Sequence, residues 1–143
     1  MREVAGFHVR LGDKLDPAVN SRVHALARAL EGARLPGVTE VIPSYATVFI
    51  EYEPLRLNEK SVRNWAAGVT VDTSATAGKA VSVSVRYDGQ DLHDVAAAVG
   101  LDVAEVVRRH SSVEYRVYAI GFTPGFPFMG AVDPVIRMPR LPS

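Results

Sequence analysis

The sequence predicts an α+β fold: an N-terminal two-layer α/β sandwich domain followed by a strand-rich second domain. Three observations lead there. Residues 4–67 give the order strand–helix–strand–strand–helix, read from runs of period-two and helical apolar spacing. Residues 70–79 are rich in threonine, serine, alanine and glycine, the composition of a connector. Beyond them, Val81-Ser82-Val83-Ser84-Val85-Arg86-Tyr87 alternates with period two and opens a second unit. The domains are therefore placed at residues 1–72 and 80–143.

Each element has a local reason. Residues 4–11 alternate loosely and read as a first strand. Asp16-Pro17 starts a helix, with a carboxylate N-cap and proline at the first helical position. Val19, Val23, Leu26 and Leu30 then recur at helical spacing, and Gly32 is read as the stop. Arg22, His24, Arg28 and Glu31 form the opposite face, which makes His24 a solvated residue. Glu40-Val41-Ile42-Pro43 and residues 47–52 read as strands of a hairpin turning at Ser44-Tyr45-Ala46. Residues 58–67 form a second helix capped by Asn58, with Val62, Trp65 and Ala66 on one face. In the second domain, residues 81–87 are a strand with one polar face. Two short helices follow over 91–99 and 102–110, each opened by an aspartate and separated by Gly100. Residues 113–120 are a further strand.

Composition narrows the function. Hydrophobic residues are 48% of the chain and charged residues 22%, enough for a packed core in a soluble protein. Sixteen basic and sixteen acidic side chains cancel, so overall charge gives nucleic-acid binding no support. There is no cysteine, which excludes disulfides and thiolate chemistry. No apolar run approaches the roughly 18 residues that span a bilayer, and no N-terminal segment reads as a signal peptide. The expectation is a cytoplasmic protein.

The most distinctive segment is Gly121-Phe122-Thr123-Pro124-Gly125-Phe126-Pro127-Phe128-Met129-Gly130. Three glycines, two prolines and three phenylalanines cannot continue a helix or a long strand. Rings on such a stiff backbone suit a pocket wall or a docking surface, or else a turn plugging the core. Thr123-Pro124 and Phe126-Pro127 are the candidates here for a cis bond. His110, beside Ser111 and Ser112 and just before the strand entering this loop, is a candidate acid or base near neutral pH. The alternative is a helix-end histidine satisfied by carbonyls. The helix pair over 91–110 superficially resembles a DNA-binding turn, but Asp102 and Glu105 stand where base contacts would be made. Arg108, Arg109 and His110 instead suit the negative end of the helix dipole. His93, Asp91 and Asp94 do not converge on an ion, and Gly78-Lys79 lacks the flanks of a phosphate loop.

The loop closely resembles a pattern of the bacterial family known as the B-type subunit of 5-oxoprolinase, allophanate hydrolase subunit 1 or the KipI kinase inhibitor. His110-Ser111-Ser112 with Tyr115-Arg116-Val117-Tyr118 resembles the family's approach to that loop. Leu35-Pro36-Gly37-Val38-Thr39-Glu40-Val41-Ile42-Pro43 resembles its N-terminal segment, and Asp133-Pro134 and Met138-Pro139-Arg140 also agree. Family members continue with a further strand-rich stretch that is absent here, so the expectation is a fragment or a split half.

What the resemblance implies is specific. The second domain would be a partial cyclophilin-like β-barrel, truncated at its C-terminus. The protein would be a subunit of an ATP-dependent amidohydrolase, opening 5-oxoproline to glutamate or acting on allophanate. It would work with a homologous larger subunit, resembling the C-type subunit of 5-oxoprolinase or allophanate hydrolase subunit 2, and with its own missing C-terminal part. Similar halves enclose the active cleft of urea carboxylase between them. ATP would be the cofactor, a small carbonyl compound the substrate, with no metal, nucleic acid or membrane. His110, the candidate acid or base, lies within the matching approach and is the expected catalytic residue. Ser111, Ser112, Tyr115, Phe122, Pro124, Gly125, Phe126, Pro127 and Gly130 would meet substrate or partner. The alternative function is a KipI-like inhibitor of a sensor histidine kinase.

Overall fold

A computed structural model describes residues 3–72, 74, 78–121 and 123–139. The chain divides into two compact units: Met1–Ala77 with Tyr118–Phe128, and Gly78–Val117 with Met129–Ser143.

The first unit is the expected strand–helix–strand–strand–helix: β1 (Ala5–Arg10), α1 (Pro17–Ala33), β2 (Val38–Pro43), β3 (Thr47–Tyr52) and α2 (Glu59–Gly68). Its sheet has the order β1-β3-β2, antiparallel throughout. Phe7 lies opposite Ile50 in one ladder, and Ile42 opposite Phe49 in the other. Central β3 alternates cleanly, burying Val48, Ile50 and Tyr52 against Val23, Leu26, Leu30 and Val62 from the two helices. Burying one such aliphatic side chain is worth about 1.5–3 kcal/mol.

Caps fix the helix starts. Asp16 accepts from the Ala18 and Val19 amides at 2.7 and 3.2 Å, and Asn58 from the Ser61 amide at 2.9 Å. Gly32 is not the stop that its residue type suggests, since α1 runs on to Ala33. Leu35 precedes a proline and is steered out of the helical region, so the chain leaves the helix at Arg34, with φ 31°.

The second unit holds α3 (Leu92–Val99), α4 (Val103–Ser111) and a 3-10 turn, η1 (Pro134–Ile136), packed around Ala96, Val106 and Ile136. Gly100 ends α3 in the left-handed region, its amide donating to the Ala96 and Ala97 carbonyls. Asp102 caps α4 through the Glu105 amide at 2.7 Å. Asp91 makes no such bond, because its backbone is already helical and its carboxylate cannot turn back onto the first free amides. Residues 81–87 are not a strand: Val81, Val83 and Val85 are 72%, 74% and 57% exposed. A strand exists through its ladder, and among the described residues this segment has no neighbouring strand. The expected strand over 113–120 shortens to β4 (Val117–Ile120), paired with β5 (Pro127–Met129).

Charges tie the second unit together. Arg109 donates to Glu105 at 2.8 Å and to Asp133 at 3.0 Å, while Asp133 caps η1 through the Val135 amide at 2.9 Å. Arg108 grips both oxygens of Glu105 at 2.7 Å. These arginine contacts, the Arg108 hydrogen bond foremost, pull the Glu105 pKa from 4.5 to about 2.

Two measurements test this account. Leu30 is 1% exposed, so Leu30→Ala is expected to lower the unfolding free energy by about 3 kcal/mol, followed by the fluorescence of Trp65 against the same core. Glu105 is more acidic folded than unfolded, so its contribution is complete above about pH 4.5 and fades as pH falls toward about 2. Acid titrations of Glu105→Gln should therefore show a shallower loss of melting temperature over that range. High salt should shrink the difference, since these groups are partly exposed.

Candidate functional site

The loop after β4 has the shape its residues dictate. Phe126 donates its amide to the Thr123 carbonyl at 3.0 Å, with Pro124 and Gly125 between them and Gly125 at φ +79°. This is the arrangement of a type II turn, which requires a left-handed residue at the third position. No described atom lies within 4 Å of where a Gly125 Cβ would sit, so the demand there is conformational, not one of space. The Gly121 amide closes the loop onto the Phe126 carbonyl at 3.1 Å. Thr123-Pro124 and Phe126-Pro127 are both trans, the usual state of an X-Pro bond. Phe122 lies outside the described residues.

In the first unit this turn feeds a row of rings. Phe126 meets Phe128 edge-on at 5.3 Å between centroids, Phe128 meets Tyr45 at 6.3 Å, and Tyr45 meets Tyr118 at 5.8 Å. Tyr118 is buried, Tyr45 and Phe128 are half-buried, and Phe126 is 46% exposed. The row thus runs from core to surface, and its outer ring stands on the stiffest part of the loop. Pro124, Gly125 and Pro127 are exposed beside it.

His110 lies in the second unit, in the last turn of α4. Its Nδ1 is 2.8 Å from the Tyr87 hydroxyl, and its ring lies 5.3 Å from that of Tyr115. Tyr87 also meets the histidine ring edge-on at 5.7 Å. With Nδ1 engaged, Nε2 is the nitrogen left to hold or pass a proton. The Tyr115 hydroxyl is buried with no hydrogen-bond partner among the described residues. Burial, then the nearby Tyr87 and Asp133, pushes its pKa above the usual phenol value, so it is a protonated donor at neutral pH. Ser111 and Ser112 reach back to the Arg108 and Arg109 carbonyls at 3.4 Å. Of the expected companions of His110, the structure brings Tyr115 to the ring and turns the two hydroxyls to their own helix. Tyr87 carries no mark in the sequence beyond being the aromatic that ends the alternating segment.

His24 is half-buried rather than a solvated surface residue. Its Nε2 is 3.0 Å from the Tyr118 carbonyl, because segment Tyr118–Phe128 packs on that face of α1. Arg108 and Arg109 are held by the carboxylates of Glu105 and Asp133. An open groove of about 460 Å³ on the first unit has Glu40, Glu51 and Glu53 in its wall. Thr39 donates to Glu51 at 2.7 Å and Arg56 pairs with Glu53 at 3.2 Å, so two of the three are already engaged. Among the described residues no group of three or more acidic, histidine or cysteine side chains could hold a metal, and no helix is long and apolar enough to cross a membrane.

Comparison with known proteins gives this geometry a context. The family described as carboxyltransferase domain, subdomain C and D, matches residues 4–143. The B-type subunit of 5-oxoprolinase from Bacillus subtilis (strain 168) is 31% identical over 152 residues, covering 94% of this chain and 63% of that protein. Its counterpart from Escherichia coli O157:H7 is 33% identical over 139 residues, covering 89% and 62%. The crystal structure of TTHA0988 superimposes with a TM-score of 0.86 at 40% identity, over 99% of this chain and 28% of that one. The chain thus spans about three-fifths of the curated relatives it matches. The match runs through the loop, the ring row and His110 alike, and the chain belongs to the carboxyltransferase subdomain C and D family, in which the B-type subunits of 5-oxoprolinase are its relatives.

Proposed function

We propose that this chain supplies part of the B-type subunit of an ATP-dependent amidohydrolase that opens 5-oxoproline to glutamate, beside a homologous larger subunit. The observation that carries the reading is the likeness to the B-type subunits of 5-oxoprolinase along nearly the whole chain. Opening the ring amide adds water across the C–N bond: the carbonyl carbon becomes a carboxylate and the nitrogen leaves as an amine, taking a proton. One group must accept a proton from water and one must deliver a proton to nitrogen. His110, oriented through Nδ1 by Tyr87, supports a shuttle through Nε2. The Tyr115 hydroxyl beside it, without a partner among the described residues, supports a site that another chain or the substrate completes.

Among the described residues, nothing next to His110 supports a triphosphate site. Arg108 and Arg109 are committed to Glu105 and Asp133, Lys79 is exposed outside any helix or strand, and no glycine-rich turn opens a helix. In this reading ATP binds elsewhere in the complex, either on the partner or on the part of the subunit that this chain does not span. The same reading places residues 81–87 in a cyclophilin-like barrel, with their alternating, exposed valines paired by strands from the part of the relatives that this chain does not span. The exposure of Phe126 also fits a protein-docking face, as in inhibition of a sensor histidine kinase.

Reconstitution with the larger subunit, followed by ATP-dependent glutamate formation, tests the function. Inhibition of kinase autophosphorylation without turnover would select the docking reading instead. Within an active complex, His110→Ala should cut turnover roughly 100-fold with little change in melting temperature. Lower stability with normal turnover per folded molecule would make the histidine structural. Gly125→Val should reduce turnover or assembly strongly while the fold persists, and Gly125→Asn should be milder, because asparagine tolerates positive φ. Normal assembly and turnover by Gly125→Val would reduce the loop to core filling.

A further inference from the structure

Asn20, midway along the buried face of α1, is fully buried, the one polar side chain so placed among the described residues. Its amide nitrogen lies 3.1 Å from the Ser44 carbonyl, 3.2 Å from that of Tyr45 and 3.0 Å from that of Tyr118. Three acceptors around one NH2 settle the orientation of the amide, since the reverse would set its oxygen against three carbonyl oxygens. Two hydrogens then serve two places: the β2–β3 turn, whose adjacent carbonyls share one, and β4, which takes the other. The Asn20 oxygen is left buried and without a donor among the described residues. An unpaired buried acceptor is costly, and this one is tolerated where the nitrogen does so much.

One turn further along α1, His24 Nε2 comes within 3.0 Å of the same Tyr118 carbonyl. That distance requires the proton on Nε2, because a carbonyl only accepts. Two donors, four residues apart on one helix, thus close on a single carbonyl in the strand that leads into the loop. The joined segments lie 98 residues apart in sequence, and the tyrosines on either side of the amide, Tyr45 and Tyr118, are the inner half of the ring row.

We infer that Asn20 and His24 are positioning residues: a clamp on the Tyr118 carbonyl that fixes where segment Tyr118–Phe128, and with it the Pro124-Gly125 turn and Phe126, stands on the first unit. The clamp rests on contacts alone; its bearing on turnover rests on the reading that this loop serves the site.

Hydrogen exchange of the full chain tests the clamp without substrate. In Asn20→Leu, of similar volume but without donors, amides of residues 118–128 should exchange roughly 10-fold faster or more, while those of β1 and β3 change less than about 2-fold. A uniform rise through the unit, or unchanged exchange at 118–128, would overturn the inference. Should Asn20→Leu fail to fold, His24→Phe carries the test: it should loosen the same segment by roughly 3-fold, and His24→Gln, which keeps a donor, should restore it. Equal exchange in the phenylalanine and glutamine variants would overturn the inference. In the reconstituted complex, His24→Phe should lower kcat and His24→Gln recover it. If exchange follows the expected pattern while Gly125→Val turns over normally, the clamp stands and the functional reading of the loop fails.

Discussion

A buried amide in search of acceptors organises the first unit. Helix α1 carries apolar residues on the face that meets the sheet, and Asn20 interrupts that face where no water reaches it. A polar group in such a place is tolerated only with partners. Those partners are backbone carbonyls of the hairpin turn and of Tyr118, so the chain must return from a remote position to lie against α1. The ring row follows from that return: Tyr118 brings its side chain to Tyr45, and Phe128 and Phe126 continue outward. Apolar burial supplies most of the stabilisation here, but it is non-directional. The amide adds direction, which burial alone cannot give to a short loop rich in proline and glycine.

The second unit is organised differently. Its buried cluster is small: among the described residues it has three buried members, against nine in the cluster of the first unit. Helix caps and the bridge from Glu105 through Arg109 to Asp133 bring α4 and η1 to one place. Partly exposed ion pairs contribute modestly each, and a bidentate, shared network is the form in which they contribute most. A unit of this kind leaves apolar surface over, as Val81, Val83 and Val85 show. Such residues are aggregation hazards unless something pairs with them.

Legibility in the sequence tracks the range of the interaction. Asp16, Asn58, Asp102 and Gly100 act within one turn of their own helices, and each does what its residue type foretells. The Pro124-Gly125 pair likewise encodes its turn locally. Gly32 and Asp91 fail for equally local reasons: a proline four residues on decides the end of α1, and the backbone at Asp91 is already helical. What could not be read are the contacts made across the chain. Alternation in residues 81–87 records a strand's preference for two unlike faces, but a ladder needs a second strand, which no periodicity reveals. His24 on a polar stripe looks solvated until Tyr118 arrives beside it. Asn20 sits among leucines and valines without a cap, turn or charge pattern to mark it, and Tyr87 stands before α3 while His110 ends α4.

The candidate site shares this division between local and long-range control. The loop's conformation is set within four residues by Pro124 and Gly125, so its shape survives wherever it is carried. Its location on the first unit is set by α1, through a carbonyl just before the loop begins. Shape and place are therefore under separate control, and a substitution can disturb one without the other. The same logic applies to His110: α4 delivers the ring, while Tyr87 and Tyr115, from segments on either side of the helix pair, decide its orientation and surroundings. A histidine merely finishing a helix would need only the helix's own carbonyls. This one instead has an aromatic hydroxyl on one nitrogen and, beside its ring, a buried phenol without a partner among the described residues. A buried donor without a partner costs about 1–3 kcal/mol.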